Sequence, residues 1–126
     1  MTKVPTSEDE KLVIDNVEMI ILLDIIELNI KKMKVAKFKL GEVYNLFFNS
    51  IQDQISKDAS AIRKEMRRRG IKVLEEKRFD DRLEIDYLCR GYTGKITMLW
   101  PKVRCDFECR LAEYFNVDVT RIQRNE

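Results

Sequence analysis

Residues 56–70, SKDASAIRKEMRRRG, hold the densest group of side chains in the chain that could do chemistry, and that group is cationic. Lys57, Arg63, Lys64, Arg67, Arg68 and Arg69 are spaced so that a helix over 57–69 leaves only Ala59, Ile62 and Met66 as a narrow apolar stripe. Most of such a helix must face outward, and its outward surface is basic. Guanidinium forks match phosphate oxygens and guanine edges, and Ser60 is small enough to let a backbone approach. The chemistry on offer is recognition of a polyanion: nucleic acid, duplex DNA first, or an acidic protein surface. Five phosphate contacts would give a salt slope of about −4.5, a roughly 500-fold loss of affinity between 50 and 200 mM salt. A plainer alternative stands beside this one, since the solvated side of an ordinary helix also carries charge.

Other chemistries have less to work with. The chain has no histidine, which removes the usual general base near neutral pH and the commonest metal ligand. Cys105 and Cys109 would share a helix face with Cys89 nearby in sequence, but there is no CxxC and no fourth ligand for zinc. Structural cysteines are expected, with redox sensing at Cys105 beside Arg104 as a minor alternative. Glu75 and Glu76 would point to opposite faces of a strand, and Asp80-Asp81 is ordinary turn chemistry. No catalytic residue, metal or cofactor is expected.

Charge is unevenly placed. Residues 1–30 carry two basic and seven acidic side chains, residues 31–39 five lysines and no acid, and residues 57–78 nine basic and four acidic ones. The net charge of +2 hides these patches, and local patches set the field a partner meets. The longest apolar run is five residues, Met19 to Leu23, so no membrane partner is expected, and the N-terminus lacks a signal pattern. With 126 residues, the chain should form a single cytoplasmic domain, with loose ends at 1–6 and 117–126.

The elements that must position the basic stretch read as α+β: N-terminal helices, a small antiparallel sheet of two or three strands, and a C-terminal helix. Ser7 with Glu10 forms a capping box ahead of a helix over 8–32. That helix is apolar over so broad a face that it must be either central or the seam of a homodimer. Residues 31–39 read as a basic connector or a fraying end. Leu40, Val43, Tyr44, Phe47, Phe48, Ile51 and Ile55 set a second amphipathic helix over 40–55, with its aromatics expected in the core. Ser56 or Asp58 can cap a third helix, which Gly70 ends. Strands follow in IKVLEEKRF, RLEIDYLCRGY and KITMLW, with turns at Asp80-Asp81 and between Gly91 and Gly94. Residues 102–111 alternate as a strand would, but Pro101 suits a first helical position and the oppositely charged pairs four apart favour a last helix over 101–115, with Trp100 packing the corner before it.

Helix, helix, basic helix, strand, turn, strand is the element order of a winged helix. The stretch SKDASAIRKEMRRRGIKVLEEKRFDDRLEIDYL resembles the recognition helix and wing of MarR-type winged-helix regulators, with Gly70, Lys77-Arg78 and Asp81-Arg82 at the matching positions. The resemblance covers about a third of the chain. It implies a DNA-binding transcription regulator in which Arg63, Lys64, Arg67 and Arg68 reach the major groove and Arg82 the minor groove. The competing expectation is a regulatory adaptor that binds another protein through charged surfaces, without nucleic acid and without catalysis.

Overall fold

The computed structural model describes residues 4–122. Helix α1 spans Ser7–Ala36 and α2 Gly41–Arg69; strands β1 (Ile71–Arg78), β2 (Arg82–Cys89) and β3 (Tyr92–Leu99) follow, then helix α3 (Trp100–Phe115) and a 3-10 turn over Val119–Arg121. The arrangement is α+β, as expected. The loose ends expected at 1–6 and 117–126 lie partly outside the described residues.

The cap of α1 is Thr6, one residue before the expected Ser7. The Thr6 hydroxyl accepts from the Asp9 amide at 3.2 Å, and the Asp9 carboxylate accepts from the Thr6 amide at 2.9 Å. Asp9 rather than Glu10 is the reciprocal acceptor because Arg90, from the β2–β3 turn, also binds it at 2.7 Å. Of the two alternatives for this helix, central helix or dimer seam, α1 is central. Val13, Val17 and Ile21 pack against the sheet, while Met19, Leu22, Ile26 and Ile30 pack with Ile51, Ile55 and Ala59 of α2. Lysine is a good helix former, and α1 continues through Lys31, Lys32 and Lys34 of the expected connector to Ala36, leaving Lys37 and Lys39 in the loop that follows.

The two helices expected at 40–55 and 57–69 are one unbroken helix. Ser56 and Asp58 can cap, but capping is worth only ~1 kcal/mol. No Gly or Pro interrupts residues 42–69. The apolar stripe Phe48, Ile51, Ile55, Ala59, Ile62, Met66 keeps helical spacing across the proposed break and packs on α1 along its length. Gly70 closes α2 in the left-handed region (φ 70), as expected. A four-residue loop, with Lys37 and Leu40 both at positive φ, joins α1 to α2 as an antiparallel hairpin about 45 Å long.

The sheet is a three-stranded antiparallel meander. Leu83, Ile85, Tyr87 and Cys89 are the buried alternation of β2, as expected. Arg90 and Gly91, with φ 50 and 90, make the two-residue turn to β3. Gly94 is not in that turn. It lies within β3, where the Tyr87 ring occupies the space a Cβ would need. Trp100 packs the next corner, its indole N–H donating to the Phe79 carbonyl at 2.6 Å.

Candidate functional site

The basic residues singled out in the sequence divide into two groups. Lys57, Arg63, Lys64 and Arg67 are exposed on α2, and among the described residues none has an acidic partner; Ser60 beside them is half-buried. The remaining cations face acids of this chain. Arg68 donates to Glu65 at 2.8 Å. Arg69 reaches Glu65 at 3.1 Å, Asp9 at 3.3 Å and Glu8 at 3.4 Å. Lys77 faces Glu75 and Asp86, and Arg78 bonds Glu76 at 2.9 Å. Arg82 bonds Glu84 and Asp81, each at 2.8 Å, and stacks over Phe79. Those two carboxylates, Glu84 first, hold the Arg82 guanidinium above its usual pKa.

The wing residues therefore sit in ion pairs at the end of the sheet remote from Gly70. β1 puts about 26 Å of strand between them. With α2 unbroken, the helix pair that would aim a recognition helix is not formed.

Arg69 belongs to a structural latch. Asp9, 2% exposed, accepts from Arg90, Arg69 and the Thr6 amide, which ties the start of α1 to the end of α2 and to the β2–β3 turn. Burial raises the Asp9 pKa, but Arg90 and the Thr6 donors outweigh it and hold the carboxyl well below the usual range. Cys89 is buried beside this latch, its thiol pKa pushed up by burial, whereas Cys105 and Cys109 are exposed on α3; the three thiols do not share a surface.

A second polar cluster joins α1 to α3. Glu18 is fully buried, and its Oε1 accepts from Arg110 at 2.9 and 3.2 Å while Arg110 also holds Asp15 at 2.6 Å. The other Glu18 oxygen lacks a donor among the described residues and faces Asp106, which Lys102 holds at 2.7 Å. Burial and the Asp106 carboxyl push the Glu18 pKa up to about 7. A proton on Glu18 supplies the missing donor.

The strongest surface anomaly lies where the core was expected. Of the predicted stripe on α2, Phe48, Ile51 and Ile55 are covered, but Leu40, Val43, Tyr44 and Phe47 are exposed. The reason is a shortage of covering elements. α3 reaches α2 only as far as Phe115, whose ring lies 5.4 Å from that of Phe47 and 5.6 Å from that of Phe48. Beyond that point the α1–α2 hairpin projects past the other described elements, with Val35 82%, Leu40 78% and Leu46 71% exposed, and Phe38 and Val43 exposed beside them. Lys34 and Lys37 line an open cleft of about 560 Å³ at the same tip. Contiguous apolar surface of this kind marks an interaction site. The visible sequence signal was the coincidence of five lysines with a strongly apolar helix start.

The fold and its surfaces define a small α+β protein built on a projecting helical hairpin, with a basic stripe on one flank and an apolar, lysine-rich tip. The chain matches the family model described as YhjD protein over residues 4–119, and it belongs to that family. No curated protein and no solved structure matches it.

Proposed function

We propose that the protein is a non-catalytic docking module that engages its partner with the tip of the α1–α2 hairpin. One observation carries this reading: large apolar side chains from Val35 to Leu46 stand in solvent among lysines, beyond the reach of the other described elements. Exposing them has no benefit to folding, so a surface that buries them in the assembled state accounts for the pattern. It keeps the adaptor expectation but moves its contact surface. Most of the charged residues expected to meet a partner are held by neighbours, and the tip is not. It also keeps the chain in the cytoplasm, a compartment that suits unpaired cysteines.

A second reading has its own support. Lys57, Arg63, Lys64 and Arg67 form an outward stripe free of acidic partners among the described residues, which suits nonspecific contact with nucleic-acid phosphates. Four such contacts give a slope of about −3.6, or a roughly 150-fold loss of affinity between 50 and 200 mM salt.

Fractionation of nuclease-treated lysate from the producing cell separates the two. Tip docking requires that the chain run in a large or particulate complex, that Val35→Ser/Val43→Ser/Leu46→Ser release it, and that Lys57→Gln/Arg63→Gln/Lys64→Gln/Arg67→Gln leave it in place. Release by nuclease or by the stripe variant alone refutes tip docking and favours nucleic acid.

A further inference from the structure

We infer that the surface met by the hairpin tip is an anionic lipid bilayer, into whose headgroup layer the tip inserts. This rests on the tip-docking reading above and names its partner. Three features of the tip distinguish a lipid surface from a protein groove.

The first is the distribution of apolar groups around the hairpin. Ile26 and Ile55 are buried where the two helices meet. Val35 lies nine residues from Ile26, and Leu46 nine residues from Ile55, which at about 100° per residue puts each on the opposite side of its own helix. Val35 and Leu46 therefore point away from each other, off the two outer sides of the hairpin, while Phe38 and Leu40 sit at its apex. A groove covers one face of a helix pair. A fluid surface that closes around an inserted tip covers all of them.

The second feature is charge. Residues 28–47 carry five lysines against one acid, Glu42. Lys31 faces Glu27 at 3.7 Å, and among the described residues Lys32, Lys34, Lys37 and Lys39 have no acidic partner. Lysine stems can lie along apolar surface while the ammonium groups stay at headgroup level, and anionic headgroups are their complement. A second copy of the chain is a poor match. Two lysine-rich tips repel each other.

The third is size and composition. No described helix is long and apolar enough to cross a membrane. Aromatic and aliphatic groups interleaved with lysines over a short projecting element suit contact with an interface rather than a span.

Vesicle sedimentation tests the inference, using phosphatidylcholine vesicles with and without 30% phosphatidylglycerol. The full chain should sediment with the anionic vesicles and stay in solution with the neutral ones. Each lysine near an anionic surface contributes about a fivefold factor in partitioning, so Lys32→Gln/Lys34→Gln/Lys37→Gln/Lys39→Gln should weaken binding roughly 600-fold. Val35→Ser/Val43→Ser/Leu46→Ser should abolish it. Both variants alter exposed residues only, and an unchanged melting temperature verifies their fold. In a third variant, Phe38→Trp, tryptophan emission should shift to the blue on anionic vesicles, reporting insertion at the apex. Failure of the wild type to sediment with anionic vesicles overturns the inference, as does binding that neither multiple variant weakens. If vesicles do not bind while a membrane-free lysate complex is still dissolved by the Val35/Val43/Leu46 variant, the lipid assignment fails and tip docking stands. If that complex is also indifferent to the variant, both fail.

Discussion

Glu18 should make the stability of this protein depend on pH in a window where few carboxylates titrate. Its side chain is fully buried between α1 and α3, with one oxygen on Arg110 and the other facing Asp106. In the folded chain its pKa rises from the usual 4.5 to about 7. A raised folded pKa means that the native state binds the proton more tightly than the unfolded state. The stabilising contribution is therefore fully present below about pH 4.5 and lost as pH climbs through 7. At about 1.4 kcal/mol per pH unit the loss amounts to roughly 3 kcal/mol by pH 8, an upper figure because Arg110 and Asp106 can relax around the charge. Glu18→Gln removes the titration, keeps an acceptor for Arg110 and offers Asp106 a permanent donor. Urea unfolding of both proteins at pH 5, 6, 7 and 8 isolates the effect, since every other titrating group is common to the pair. The variant should gain on the wild type by about 2–3 kcal/mol between pH 5 and pH 8. A difference constant across that range would refute the assignment of a raised pKa to Glu18.

Three further outcomes follow from the geometry. Asp9→Asn should cost about 3 kcal/mol at pH 7, because it leaves Arg90 and Arg69 without their shared carboxylate. The Asp9 pKa is depressed, so this cost should shrink as acid protonates the wild type well below pH 4, which parallel denaturant titrations would show. Lys57→Pro should destabilise by about 3 kcal/mol or more, since α2 runs through this position; a turn there would accept proline at a first helical position almost freely, and a melting curve distinguishes the two. Gly94→Ala should cost about 1–3 kcal/mol by driving a methyl group into the Tyr87 ring, and Tyr87→Leu in the same chain should recover part of that loss in chemical denaturation.

Much of the fold was legible because local signals were strong. The β2 alternation, the Gly70 stop, the Pro101 start and the Trp100 corner each follow from a period or a residue with restricted geometry. Ser56 and Asp58 favour caps and so suggest a break in α2, although the stripe from Phe48 to Met66 passes them without a change of spacing. Length and continuity outweigh a cap signal when both sides of the apolar stripe find the same partner. The Ser7 cap moved to Thr6 because Asp9 is claimed by Arg90, eighty-one residues away in sequence, a contact no local pattern reports.

The candidate site was harder. Sequence marks where cations are dense but not which of them meet acids in the fold, so Arg68, Arg69, Lys77, Arg78 and Arg82 looked as available as Lys57, Arg63, Lys64 and Arg67. The tip was hidden for the opposite reason. An amphipathic stripe such as Leu40, Val43, Tyr44, Phe47 announces burial, and only the reach of α3, which ends against Phe47 and Phe48, shows that no other described element arrives to bury its first turns.

The most direct measurement is photo-crosslinking in the producing cell with benzoylphenylalanine placed at Leu46 on the tip or at Lys64 on the basic stripe. We expect efficient adducts from position 46 and few from position 64, with the position-46 signal lost when Val35→Ser/Val43→Ser is added. Adducts from position 64 alone, with none from position 46, would contradict the claim that this protein works through the tip of its helical hairpin.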